Sequence, residues 1–171
     1  MIEHRLIERM IRLIEKALPS IAQGSRLDPV FLDSVIDFIR TYADRCHHGK
    51  EENILFRDLE GKPLSPAHRN VLRELKEEHA RGRAMVARIE RAKVRYQEGE
   101  GSALHEIAGQ LKELVSFYPQ HIDKEDNHFF RPVMEYFSEE ERANMLREFN
   151  DFDRSLIHAK YKELVARFEA G

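Results

Sequence analysis

The sequence predicts an all-α fold, an up-down four-helix bundle with an additional C-terminal helix, formed as one domain over residues 1–171. Three observations carry this. Apolar residues recur at three- and four-residue spacing along nearly the whole chain, the period of an amphipathic helix. Charged residues reach 35% beside 42% hydrophobic, which suits long helices with solvated outer faces and argues against disorder. Only 8 glycines and 6 prolines occur, too few for the frequent turns of an all-β fold. A chain of 171 residues can also bury a core without disulfide staples.

The first helix runs from Met1 to about Ala22. It carries Ile2, Leu6, Met10, Leu13 and Ala17, with Ile7, Ile11, Ile14 and Leu18 beside them; Pro19 lies near its end and Gly24 stops it. Asp28 followed by Pro29 reads as an N-cap with proline at the first helical position. The second helix then carries Phe31, Val35, Phe38, Ile39, Tyr42 and Cys46. Gly49 interrupts it without ending it, because Ile54, Leu55 and Phe56 continue the pattern. The stretch DLEGKPLSP is a connection. A third helix begins near Ser65, with Pro66 in its first turn, and runs to about Glu98; Leu72, Leu75, His79, Val86 and Ile89 share one face. After a GEGS turn, the fourth carries Leu104, Ile107, Leu111, Leu114, Val115 and Tyr118, and extends to Ile122 and Phe129. Pro119 is a candidate kink in it and Pro132 a candidate break. The fifth starts at the cap Ser138, with Glu141 completing a capping box, and is read through to Gly171. Short loops favour antiparallel neighbours, hence the bundle.

The same composition excludes several functions. A net charge of −3 with interspersed signs argues against a nucleic-acid partner. No apolar run approaches the ~20 residues of a membrane span. The charged start MIEHRLIERM has no apolar signal-peptide core. Cys46 is the single cysteine, which fits a reducing compartment. The expectation is a cytoplasmic helical protein whose unusual feature is nine histidines.

Helical wheels at about 100° per residue sort those histidines. His47 falls within about 20° of Ile36 and Ile54 on such a wheel, with Glu51 one turn on and close to the same edge. His48 and Glu52 fall further round, on the polar side. Glu125 lies between Leu114 and Tyr118, flanked by His121; His79 lies between Leu72 and Val86; His4 sits beside Ile7 and Ile11. His105 is off the apolar arc, and His158 edges the stripe of Tyr161 and Val165. A lone histidine on an apolar face is more often a satisfied core residue than a ligand. Two buried glutamates, each one turn from an inward histidine, are harder to explain by packing, because an unpaired buried carboxylate is strongly unfavourable.

His4, His47, Glu51, His79, His121 and Glu125 therefore form a candidate dinuclear metal site. Histidines would hold the ions, and glutamates would bridge them from the core of the bundle. An oxo or hydroxo bridge would leave each metal five-coordinate with one open position. Imidazole and carboxylate without thiolate suit iron or manganese, with zinc the remaining alternative.

The segments EHRLIER, CHHGKEENILF, EEHARGR and YPQHIDKEDNHFFRP resemble the hemerythrin-like (HHE cation-binding) family over nearly the whole chain. The resemblance places that family's ligands on the same six residues and implies two iron ions with an Fe–O–Fe or Fe–OH–Fe bridge. Oxygen-carrying hemerythrins have His-x-x-x-His on the third helix; here the position four after His79 is Arg83. They also have an aspartate in place of the second glutamate, one residue further along; here Glu125 stands with Asp126 beside it. The missing histidine argues against reversible oxygen carriage and for redox turnover or binding of peroxide or nitric oxide. His158 is a candidate fifth nitrogen. Tyr118 is a candidate hydrogen-bond donor to a bridging or bound ligand, or an ordinary core tyrosine. Cys46 is read as a buried, inert thiol, His48 and His128 as solvated or supporting a ligand, Arg83 as an ion-pair residue, and the run 74–83 as a mostly solvated face.

The functional expectation is a non-haem di-iron protein that binds or reduces O2, NO or peroxide, in sensing, detoxification or iron handling. Its partners would be that small diatomic ligand or peroxide and a redox or signalling protein, or a second copy in a homodimer. The alternatives are iron–sulfur cluster repair by iron donation, or a structural bundle with a vestigial or zinc site. The resemblance to the repair proteins is partial, since those carry an extra cysteine-bearing N-terminal segment not seen in this sequence.

Overall fold

A computed structural model describes residues 2–22, 27–154 and 157–170, and every regular element among them is helical. Helix α1 (Ile2–Ala22) buries Leu6, Ile7, Met10, Ile11 and Ile14 along one stripe. The predicted stop at Gly24 lies outside the described residues.

The second helical stretch starts as α2 (Pro29–Asp37). Asp28 accepts a hydrogen bond from the Val30 amide at 2.9 Å, and Pro29 occupies the first helical turn, as the sequence predicts. The stretch then widens into two π-helical segments, π1 (Phe38–His48) and π2 (Glu51–Phe56), and closes as α3 (Arg57–Glu60). Gly49 sits inside it with helical torsions. A Cβ there would lie 3.1 Å from Cζ of Phe152, so glycine lets the end of a later helix approach closely.

Helix α4 (Pro66–Gln97) is capped by Ser65, whose hydroxyl accepts from the His68 amide at 3.1 Å. Helix α5 (Ala103–Asp123) continues without a break through a third π segment, π3 (Lys124–Phe129), into α6 (Phe130–Val133) and a 3-10 turn, Met134–Tyr136. Neither Pro119 nor Pro132 ends it.

Beyond Ser138 the expectation of one helix to Gly171 is corrected. The capping box forms as predicted, with Ser138 Oγ 3.2 Å from the Glu141 amide and Glu141 Oε2 2.8 Å from the Ser138 amide. The helix nevertheless ends, and two elements result: α7 (Glu139–Phe152) and α8 (Ile157–Ala170). Asp153 caps α7, and Lys50 holds its carboxylate at 2.6 Å.

Helix α5 packs along both α1 and α4; π1 contacts α1, α4 and α8, and π2 contacts α7. The buried apolar side chains form two clusters. One is built around Met10, Ile14, Phe38, Ile107 and Leu111, the other around Phe56, Leu59, Leu75 and Phe129. Burying each such side chain contributes about 1.5–3 kcal/mol. On three helices the buried polar residues lie where one cluster gives way to the other. His47 and Glu51 fall between Ala43 and Ile54, His79 between Leu75 and Met85, and Glu125 between Ile122 and Phe129. No helix among the described residues is long and apolar enough to cross a membrane.

Candidate metal centre

His4 comes from α1, His47 and His48 from the end of π1, Glu51 from the start of π2, His79 from α4, His121 from α5 and Glu125 from π3. All seven side chains are at most 2% exposed. The local backbone explains how two consecutive histidines both face inward. A π turn bonds i to i+5, so each residue advances by less than the 100° of an α-helix. That smaller step brings His48 off the polar side, where the wheel places it, and into the core.

The seven residues form two clusters. Atoms of His4, His47, Glu51 and Glu125 lie within 4.8 Å of one another, and so do nitrogens of His48, His79 and His121. The two glutamates span them. Glu51 sets Oε1 3.3 Å from His47 Nε2 and Oε2 3.4 Å from His79 Nε2. Glu125 sets Oε2 3.2 Å from His4 Nε2, and Oε1 3.3 Å from His121 Nε2 and 3.5 Å from His79 Nε2. Each carboxylate thus offers one oxygen to each nitrogen cluster.

Behind the histidines stands a second ring of acids. Nδ1 of His4 donates to Asp126 at 3.0 Å, that of His47 to Glu3 at 2.9 Å, that of His79 to Glu52 at 2.7 Å, and that of His121 to Glu78 at 2.8 Å. Such bonds fix the tautomer, turn Nε2 inward and make it a better donor to a metal.

Burial dominates the protonation states. It lowers His4 to about 4 against the pull of Asp126, and it lowers His47, His48 and His79 as well, so these rings are neutral near pH 7. Burial also raises the carboxyls of Glu51 and Glu125 well above the usual range, aided by Glu3 for the first and by Glu51 for the second. Both oxygens of Glu51 and of Glu125, Nε2 of His79 and His121, and both ring nitrogens of His48 are buried without a hydrogen-bond partner among the described residues. Unsatisfied buried acceptors at this density are strongly unfavourable unless cations complete them. The donor set of imidazole and carboxylate, without thiolate, fits iron or manganese.

The structure brings the six sequence-predicted residues together and adds His48. It places the candidate fifth nitrogen, His158, elsewhere. His158 Nε2 lies 3.1 Å from Asp153 Oδ1 and 3.3 Å from Glu3 Oε1, and its Nδ1 meets the Tyr42 hydroxyl at 3.0 Å. Tyr118 is buried with its ring edge-on to His121 at 6.5 Å, and burial raises its phenol. Cys46 is buried, its thiol pushed up to about 12, chiefly by burial. His105 and His128 are exposed. The sequence reading missed His48 because it assumed one helical period throughout. It missed the outer acids because each bonds a histidine on another helix: Glu78, within the run read as solvated, holds His121.

Among known proteins, the family model described as Hemerythrin HHE cation binding domain matches residues 1–133. No curated protein and no solved structure gives a significant match.

Proposed function

The chain belongs to the hemerythrin HHE cation-binding family, and on that premise we propose that it is a non-haem di-iron protein that binds or reduces O2, NO or peroxide. The observation that carries the reading is the pair of glutamates, each with one oxygen facing each nitrogen cluster. In this reading His4, His47, His79 and His121 are terminal ligands, Glu51 and Glu125 bridge, and residues 1–171 form one domain. The four long helical stretches form an up-down bundle, with α7 and α8 added to it. Bound iron would supply one-electron chemistry and coordination positions for a small ligand.

The chain's own residues do the rest. Glu3, Glu52, Glu78 and Asp126 hold the imidazoles in a fixed tautomer. Phe56 stacks on His79 and Phe117 on His121, which keeps water from those rings. Glu51 also lines a cavity of about 590 Å³ whose other walls include Arg5, Leu55, Phe130, Met134 and Phe149. A small ligand would approach the centre from that cavity, past Leu55 and Phe130 on one side and Arg5 and Asp126 on the other.

The test is metal content of freshly purified protein and of Glu51→Ala. The reading expects about two irons per chain in the parent and loss of metal in the variant. Full metal content in Glu51→Ala would show that the ligand assignment is wrong.

A further inference from the structure

Tyr42 lies one turn before His47 in π1, since a π turn spans five residues. Its side chain is buried, and its hydroxyl meets His158 Nδ1 at 3.0 Å. The other side of that imidazole fixes the direction of the bond. His158 Nε2 lies 3.1 Å from Asp153 Oδ1 and 3.3 Å from Glu3 Oε1, both of them acceptors, so Nε2 carries the ring proton. Nδ1 is then the lone pair, and the Tyr42 hydroxyl donates to it.

The surrounding charges favour a second proton on His158. Glu3 and Asp153 are two carboxylates, and Lys50, paired with both, supplies one cation. An imidazolium at His158 would be the second cation and would balance the group. A phenolate at Tyr42 is disfavoured in the same place. Burial, then the charge of Glu3, pushes its phenol above the ordinary range. Tyr42 therefore gives up its proton readily only together with an electron, which leaves a neutral ring radical. Phe38 stacks on that ring at 5.1 Å and Tyr161 packs against it at 5.9 Å, which shields it from water.

Two routes join the pair to the metal centre. One is the backbone turn from Tyr42 to His47. The other runs from His158 to Glu3, whose Oε2 accepts from His47 Nδ1 at 2.9 Å. Other tyrosines lack this combination. Tyr118 lies edge-on to His121, but no base accepts from its hydroxyl among the described residues. Tyr136 meets His68 Nδ1 at 2.9 Å, but its oxygen also accepts from the Ser65 amide. Asp153 and His158 lie beyond residues 1–133, which the family model matches, so the pair belongs to this chain's own C-terminal helices.

We propose that Tyr42 is a one-electron donor to the dinuclear centre and that His158 takes its proton. The co-reactant is a peroxide. Breaking the O–O bond of hydrogen peroxide takes two electrons and two solvent protons and gives two waters. One electron comes from a centre that holds one ferrous and one ferric ion, which becomes diferric. Tyr42 gives the other: its O–H bond breaks, the proton passes to His158 Nδ1 and the electron passes to the centre. The products are two waters, a neutral Tyr42 radical and the His158 imidazolium. The pair thus lets peroxide be reduced when only one ferrous ion is present. This inference rests on the di-iron reading above.

The experiment uses iron-loaded protein, reduced by one electron, at pH 8, above the ordinary imidazole range. It is mixed with hydrogen peroxide and frozen at set times for electron paramagnetic resonance. The parent should give a tyrosyl radical, identified by narrowing of its signal when the tyrosine rings are deuterated. Tyr42→Phe should lose the signal, and Tyr136→Phe should keep it. His158→Gln accepts the phenol hydrogen bond but cannot take the proton, so the radical should form about 100-fold more slowly per iron pair. A second readout needs neither metal nor a variant. In metal-free parent protein labelled with nitrogen-15 histidine, magnetic resonance at the same pH should place the His158 proton on Nε2. A proton on Nδ1, a radical that survives in Tyr42→Phe, or an unchanged rate in His158→Gln would overturn the inference. An iron-loaded parent that consumes peroxide without a tyrosyl radical would overturn it and leave the di-iron reading standing. A parent that binds no iron would overturn both.

Discussion

Glu51 reaches His79 across the helix boundary: its Oε2 lies 3.4 Å from His79 Nε2, while its other oxygen stays 3.3 Å from His47. Both oxygens are buried with no hydrogen-bond donor among the described residues. Without a cation this carboxyl destabilises the fold, and its raised pKa is the sign of that.

Glu51→Gln should therefore make the apoprotein more stable near pH 7 while removing metal. A group whose folded pKa lies above its unfolded value contributes its stabilising protonation below the unfolded value, here 4.5, and loses it as pH rises. The gain from Gln should thus vanish below pH 4.5 and grow toward neutrality. Thermal melts of apoprotein across pH measure it, each kcal/mol appearing as roughly 2–4 °C. An apo variant that melts below the parent at pH 7 would contradict the account.

Glu78 holds His121 Nδ1 at 2.8 Å and is itself held by Lys124 at 2.5 Å. Despite partial burial, these two partners keep its carboxyl at about 2. Glu78→Gln should weaken metal binding by about 10–100-fold with little change in fold. Competition with a chelator of known affinity measures the loss; an unchanged affinity would show that His121 needs no orienting acid.

Lys50 is buried between Glu3 and Asp153, and joins α1, the second helical stretch and the turn after α7. Lys50→Ala should destabilise by roughly 3 kcal/mol or more, the cost of leaving a buried carboxylate without its cation. At this chain length that is a fall in Tm of roughly 10 °C. Backbone hydrogen exchange should quicken first around residues 150–154. A Tm within 2 °C of the parent would contradict this, as roughly the shift of a neutral surface change.

Cys46 is buried and its thiol is pushed up to about 12, so almost no thiolate exists at pH 8. The native protein should resist iodoacetamide at that pH over a time in which urea-unfolded protein reacts completely. Equal rates in both states would show a reactive thiol.

Helix starts are legible in this sequence wherever one side chain makes them. Asp28, Ser65 and Ser138 cap the elements that they announce. The six residues of the candidate site are legible because they lie on apolar arcs where charged and polar groups are otherwise excluded. What fails is the constant period. The change from 3.6 residues per turn to wider turns in π1 leaves the apolar pattern nearly unaltered, yet it moves His48 from the polar side to the core. Asp153 is opaque for a different reason. The helix stops there, and the partner of its carboxylate, Lys50, lies far away in sequence. The acids behind the histidines are equally opaque, because they lie in charged runs and their partners lie on other helices.

The most direct test of the central claim is the iron stoichiometry of the freshly purified chain, by mass spectrometry, beside that of Glu125→Ala. The account predicts about two irons per chain, and loss from both positions together in the variant, because Glu125 faces both nitrogen clusters. One iron retained at full occupancy in Glu125→Ala, or a parent protein holding zinc alone, would contradict it.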